Sequence, residues 1–365
     1  MNITNLSCDI CGYEEKYSIN PVHEHPELEL GGVPLNIWTP KYNLKKIKNI
    51  LINNSQKGIM KFNNLIPINL NKNIVSNEGN TPLIKIDGAY LKDESNNPTG
   101  SFKDRGIASL VSEAIYYGIK TIAIPSTGNA AISLGYYGTR AGIETIVFIP
   151  SNTSFEKIEK IKNNSEIIMD SNIIESYEHF FRFCKKNKEI YNGFPANNIA
   201  YLQGLKTISY ELFIQLNDNV PDSIIIPVGS GGNLVGIYYG FKDLVSIGLA
   251  KKMPRLISVQ LNDADPITQG FIKNQTDKLL ILNSIPQTKA EAIASDTCFN
   301  YFKILNIFLE TGGEAISVSE KEIENSFEYN LEYSSRAIFP ALKKLSKNNV
   351  DFGNVVLIGT ASKKS

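Results

Sequence analysis

A chain of 365 residues is longer than one hydrophobic core usually supports, so two lobes are expected. Its 37 lysines and arginines balance 37 aspartates and glutamates, which leaves no net field to recruit nucleic acid or a membrane surface. No apolar run is long enough to span a bilayer, the opening MNITNLSCDICGY does not read as a signal peptide, and four irregularly spread cysteines make no disulfide framework, so a reducing cytoplasm is the expected compartment.

In chain order the first motif is Cys8-Asp9-Ile10-Cys11-Gly12, one half of a zinc ribbon. Structural zinc takes four ligands, so a second pair of donors is required. His23 and His25 lie nearby, and positions two apart in a strand face the same side, so both could join Cys8 and Cys11. Residues 40 to 75 are rich in Asn, Lys and Ile and carry little motif pattern. They lead from an N-terminal extension, residues 1–59, into a main domain over residues 60–365.

Ala89 to Leu91 reads as a short strand, and Ser95-Asn96-Asn97-Pro98-Thr99-Gly100 as a turn. Ser101 is expected to cap a helix running through Phe102, Ile107 and Leu110. Lys103 then lies in the first helical turn, where the positive end of the helix dipole lowers its affinity for a proton. An amine that loses its proton easily suits Schiff-base chemistry. Spacing alone fits a solvated surface lysine beside Asp104 as well.

Beyond Lys103, strand patterns at Thr121 to Ile124, Thr145 to Ile149 and Glu166 to Met169 alternate with helical patterns at Gly128 to Arg140, Phe155 to Lys162 and Ile174 to Lys186. Ser223 to Ile226, Leu256 to Val259 and Val355 to Ile358 read as later buried strands. Short apolar runs separated by helical patterns predict an α/β fold, a parallel sheet with helices on both faces.

Two polar loops stand between such a strand and such a helix. Gly229-Ser230-Gly231-Gly232-Asn233 would let backbone N–H groups close on a phosphate at a helix N-terminus, although glycine turns often serve only tight packing. Ser126-Thr127-Gly128-Asn129 offers N–H groups and hydroxyls to a carboxylate; a plain helix cap accounts for Ser126 or Thr127 but not for the whole run.

The segment KDESNNPTGSFKDRG, Lys92 to Gly106, resembles the cofactor-lysine segment of threonine synthase and its relatives, in the fold type II family of pyridoxal-phosphate (PLP) enzymes. Glu78-Gly79-Asn80-Thr81-Pro82-Leu83 stands upstream as in that family, and Ser126-Thr127-Gly128-Asn129-Ala130-Ala131, Gly204-Leu205-Lys206-Thr207 and Pro227 to Asn233 follow in the family order. The resemblance runs from about Met60 onward. It implies a two-lobed, tryptophan synthase β-like fold, with a smaller lobe over about 92–198 and a larger one over about 60–91 plus 199–365. It further implies pyridoxal 5'-phosphate as cofactor, a small amino acid as substrate and a homodimer as assembly.

By the same resemblance, Lys103 holds the cofactor as a Schiff base and then serves as general base. Gly229, Ser230, Gly231, Gly232 and Asn233 cup its phosphate. Ser126, Thr127, Gly128 and Asn129 grip the substrate carboxylate, and Asn129 also bonds the cofactor ring oxygen. Four departures stand out. The position of the family's substrate-phosphate arginine is Tyr201, with Lys206 as the nearby source of charge. The hydroxyl partner of the pyridine nitrogen is replaced by Ile358, leaving Thr360, two residues on, as its candidate. Ala292-Ile293 is followed by Ala294-Ser295-Asp296-Thr297 in place of the family's Gly-Asn-Pro turn. Relatives often carry an N-terminal zinc ribbon with a second cysteine pair before a Gly-Gly, but before Gly31-Gly32 this chain has Glu27 and Leu30, so a decayed ribbon without metal is expected.

The expected activity is therefore PLP-dependent elimination or replacement at Cβ or Cγ of a small amino acid, in a pocket altered from that for O-phosphohomoserine. The alternatives are a genuine threonine synthase, a serine/threonine ammonia-lyase, β-replacement on an O-activated serine, and a non-catalytic PLP-binding protein.

Overall fold

Runs such as Ile122-Ala123-Ile124, Val147-Phe148-Ile149, Ile224-Ile225-Ile226 and Val355 to Ile358 are apolar without alternation, and every one of these side chains is buried. A strand of that kind must be covered on both faces, which is the environment of a parallel sheet under helices. The computed structural model describes residues 2–21, 23, 25, 29–30, 33–44, 56–326, 329–347 and 353–363. These divide into two compact units, Met1–Glu78 with Lys103–Leu205, and Gly79–Phe102 with Lys206–Ser365.

The first unit holds a parallel sheet of four strands in the order Glu166–Asp170, Glu144–Pro150, Thr121–Pro125 and Ile190–Asn192. Its helices are Lys103–Tyr116, Asn129–Ala141, Phe155–Lys162, Ile173–Lys186 and Ile199–Leu205. A small antiparallel sheet of Glu14–Lys16, Asn5–Cys8 and Trp38–Lys41 belongs to the same unit. It is tied down where Tyr17 and Tyr191 both donate a hydrogen bond to Glu113, which lies on the helix Lys103–Tyr116.

The second unit holds six strands in the order Glu314–Val318, Arg255–Leu261, Ser223–Pro227, Val355–Gly359, Ala89–Asp93 and Leu83–Ile86. The first five run parallel, and the edge strand Leu83–Ile86 is antiparallel to its neighbour, a departure from the all-parallel expectation. A two-residue turn at Asp87-Gly88 joins that pair, with Gly88 at φ +71°. Leu91, Ile225, Ile257, Val259 and Leu357 form the centre of its core.

The unit boundaries differ from the lobes expected at about 92–198, and the reason is local. Residues 92–102 stay with the second unit because Ala89–Asp93 pairs with Val355–Gly359, and Ser101 bridges Ala361. Residues 199–205 stay with the first because Gly204 lets their helix close on Lys103–Tyr116: a Cβ on Gly204 would lie 2.1 Å from the Arg105 carbonyl oxygen. Residues 1–78 also belong to the first unit, rather than being divided at 59 and shared with the larger lobe. Ser101 is not the expected cap. Its bridge to Ala361 keeps it extended, its hydroxyl has no partner, and the helix starts at Lys103. Among the described residues no helix is long and apolar enough to cross a membrane.

Candidate active site

Lys103 is the first residue of the helix Lys103–Tyr116 and is half-buried, while Asp104 and Arg105 behind it are wholly buried. Asp104 is fixed by the Ser133 hydroxyl, which donates to it at 2.6 Å. The Lys103 Nζ lies 5.8 Å from the centroid of the Tyr201 ring. Tyr201 comes from the helix Ile199–Leu205, whose start is held by its own N–H donating to the Asn198 side chain at 2.9 Å. Its ring can lie so close because residue 106 is glycine; a Cβ there would sit 2.3 Å from the ring carbons. Tyr201 is 1% exposed and its hydroxyl has no hydrogen-bond partner. Burial first, and the Asp104 carboxylate second, push its phenol well above the ordinary range, so it is a neutral donor.

In the same unit, the strand Thr121–Pro125 runs out into Ser126 to Gly128 before the helix Asn129–Ala141 begins. Gly128 donates its N–H to the Ser126 hydroxyl at 3.4 Å. No side chain caps this helix, all of Ser126, Thr127, Gly128 and Asn129 are half-buried, and a Cβ on Gly128 would meet nothing within 4 Å. An uncapped helix N-terminus bordered by open space and hydroxyls suits a carboxylate.

In the second unit, Ser223–Pro227 leads through Gly229 to Gly231 into the helix Gly232–Ser246. Gly231 has φ +88°, and a Cβ on it would approach Ile304 to 2.6 Å and Asn300 to 2.9 Å. A Cβ on Gly229 would stand 2.4 Å from the Ala292 carbonyl oxygen, so both glycines are demanded by close packing. Asn300 braces the loop by donating to the Ser230 carbonyl at 2.7 Å. Asn233 is buried, yet both polar atoms of its amide are without a partner. Buried amides are normally paired, and an orphan one at a glycine-built helix N-terminus fits an anionic group such as a phosphate. Ala292, two residues before the altered 294–297 segment, thus touches the glycine loop directly.

Thr360 follows the strand Val355–Gly359 and is buried. Its carbonyl accepts from the Phe102 N–H at 3.0 Å, and Ser362 donates to the Gly100 carbonyl at 2.8 Å, so this segment is stitched to the residues that enter Lys103. The Thr360 hydroxyl shares a hydrogen bond with Ser335, which also accepts from the Ala361 N–H at 3.0 Å. Ser335 carried no motif, and only the fold brings it here. The charge of Lys206, expected to serve the substrate, is engaged by Asp243 within its own unit. The lysine is fully buried, and Asp243 also accepts from Tyr210 at 2.7 Å.

The family model described as pyridoxal-phosphate dependent enzyme matches residues 74–358. The chain belongs to this family, in its threonine synthase-like group. Its cofactor is pyridoxal 5'-phosphate. The PLP enzyme is 32% identical over 277 residues to a threonine synthase of Methanosarcina acetivorans, covering 73% of this chain and 67% of the relative. It is also 32% identical over 311 residues to a threonine synthase of Methanocaldococcus jannaschii, covering 81% and 75%. Among solved structures it shares the fold of a fungal L-serine ammonia-lyase from Rhizomucor miehei, with a TM-score of 0.66, 24% identity, and 77% and 93% of the two chains covered. A processed threonine deaminase from Solanum lycopersicum gives a TM-score of 0.64 at 21% identity, with 77% and 79% covered. The α/β expectation of a fold type II enzyme therefore holds.

Proposed function

We propose that this PLP enzyme catalyses elimination or replacement at Cβ or Cγ of a small amino acid whose side chain is not a phosphate ester of homoserine. Lys103 is the residue that would hold the cofactor, and its amine, when free, would take the proton from the substrate Cα. Gly229 to Asn233 hold the phosphate, with the Asn233 amide as an additional donor. Ser126 to Asn129 hold the substrate carboxylate and keep the Cα–H bond oriented, with Asn129 shared with the cofactor. Thr360, hydrogen-bonded to Ser335, is the neutral hydroxyl assigned to the pyridine nitrogen. When bound, PLP supplies the electron sink for the charge left at Cα.

The observation that carries the substrate reading is Tyr201. A neutral, wholly buried phenol stands beside Lys103 at the position where the family resemblance puts an arginine. A phosphate dianion taken out of water needs paired, charged donors, and one phenol supplies a single neutral bond. The names of the two relatives at 32% identity favour a second reading, threonine synthase itself.

A substrate panel decides between them. O-phosphohomoserine, O-phosphoserine, O-acetylserine, serine and threonine are compared by kcat/KM, with phosphate, keto acid and threonine measured as products. O-phosphohomoserine is expected to rank below the best substrate by about tenfold or more, the worth of one lost charged hydrogen bond. A wide preference for O-phosphohomoserine with threonine as product would establish the second reading instead. Borohydride reduction of the yellow holoenzyme is expected to attach the cofactor to the peptide containing Lys103, and attachment elsewhere removes that assignment.

A further inference from the structure

Outside the catalytic motifs, one cluster of metal-ligating side chains stands among the described residues. Cys8, Cys11, His23 and His25 each bring one donor atom to a common point, all four within 4.8 Å of one another. The Cys8 Sγ lies 3.4 Å from the His25 Nε2, the Cys11 Sγ 3.3 Å from the His23 Nε2, and the two Nε2 atoms are 3.2 Å apart. Zinc binds thiolate sulfur at about 2.3 Å and imidazole nitrogen at about 2.0–2.1 Å in a tetrahedron, which requires S–N edges of about 3.5 Å and an N–N edge of about 3.3 Å. The distances found match those edges. We propose that Cys8, Cys11, His23 and His25 form a closed, structural zinc site.

The surroundings hold the donors in place. Cys8 ends the strand Asn5–Cys8, its N–H donates to the Tyr13 carbonyl at 2.7 Å, and the Gly12 N–H returns to the Cys8 carbonyl at 3.0 Å. Gly12 takes φ +74°, the left-handed conformation that turns the chain under the two thiols. The Tyr13 ring stacks on His23 at 4.5 Å between centroids, and Trp38 meets the same imidazole edge-on at 5.8 Å. Two thiolates neutralise the ion, and four protein ligands leave no open coordination position, so the role is structural. The sequence led to the opposite expectation because Glu27 and Leu30 stand where a second cysteine pair would be. Glu27, Gly31 and Gly32 lie outside the described residues, and Leu30 is in the two-residue strand Glu29–Leu30. The second pair of donors comes instead from the two histidines, four and more residues earlier in the chain.

The test is metal analysis of the full-length holoenzyme prepared in zinc-replete medium and desalted. About one zinc per chain is expected, the stoichiometry of a single four-ligand site. Cobalt exchange is expected to give the visible absorption of a tetrahedral, thiolate-bound ion. The double variant His23→Ala/His25→Ala is expected to lose the metal while keeping the cofactor absorbance, and Cys184→Ser is expected to keep both. Should the double variant fail to fold, the wild type still decides. Cys11 is exposed, so its reaction with a thiol reagent should be slow in the zinc form and accelerate at least tenfold on adding a chelator. A reduced wild type that takes up neither zinc nor cobalt, zinc retained in the folded double variant, or a Cys11 reactivity indifferent to chelator would each overturn the site.

Discussion

The Lys103 side-chain nitrogen stands 5.8 Å from the centre of the Tyr201 ring, and the Tyr201 hydroxyl is buried without a partner. An unsatisfied buried hydroxyl costs about 1–3 kcal/mol, which a structure retains when the group has a task. Tyr201→Phe is therefore expected to raise the melting temperature of the cofactor-free chain by about 2 °C or more. It should also lower kcat/KM for the best substrate about tenfold, the loss of one hydrogen bond made to substrate. A variant unchanged in both respects would remove Tyr201 from the pocket.

Asn233 carries the same kind of signature in the other unit. Asn233→Ala should weaken PLP affinity about tenfold, since a hydrogen bond to a charged group contributes about 1.5–3 kcal/mol. The cofactor-free form should lose little, because the amide makes no protein bond that could be lost. Equilibrium dialysis of PLP and thermal unfolding of the cofactor-free chain separate these effects, and equal losses in both would mean a packing role.

Lys206 and Asp243 form a buried pair, with burial pulling the lysine below its usual range and Asp243 opposing that shift. Lys206→Met leaves Asp243 buried without its cation, and about 3–5 kcal/mol of stability should be lost. Lys206→Met/Asp243→Leu should recover much of it, because removing both charges removes the stranded one. The Michaelis constants should not move in either folded variant. A selective rise in KM for a phosphorylated substrate with stability intact would restore Lys206 to the pocket.

Glu113 predicts a pH dependence. Burial raises its carboxyl above the usual range, outweighing the bonds from Tyr17 and Tyr191 that lower it. The folded chain then holds a proton that the unfolded chain releases from about pH 4 upward, so stability is fullest below that pH and declines as pH rises through the raised value. Glu113→Gln cannot ionise. Melting curves across pH should show a steeper fall for the wild type than for this variant, and a constant gap between the two would refute the assignment.

Local words were readable because their physics is local. The helix Phe155–Lys162 was expected at the same residues that form it, and the apolar runs starting at Thr121, Thr145, Ser223 and Val355 all became buried strands. Ile190–Asn192 and Leu83–Ile86 were missed, being three and four residues long, the latter with no fully buried side chain. Ser101 misled for an instructive reason: a serine before a helical pattern is the usual cap, but its bridge to Ala361 depends on residues far away in sequence. The same distance hid Ser335 behind Thr360 and Asp243 behind Lys206. The glycine loop and Lys103 were legible because glycines and a first-turn lysine announce themselves, whereas their bracing partners, Asn300 and Gly106, became meaningful only through contacts.

The bond from Phe102 to Thr360 also has a consequence for biosynthesis. A ribosome adding about 5–20 residues per second releases Lys103 on the order of ten seconds to a minute before Thr360 emerges. Throughout that interval the strand Ala89–Asp93 has only its hairpin partner Leu83–Ile86, and the Phe102 N–H lacks the carbonyl that accepts it in the finished fold. With Lys103 as the proposed cofactor residue, the segment that leads into it is braced on its second side only when residues 355–362 arrive.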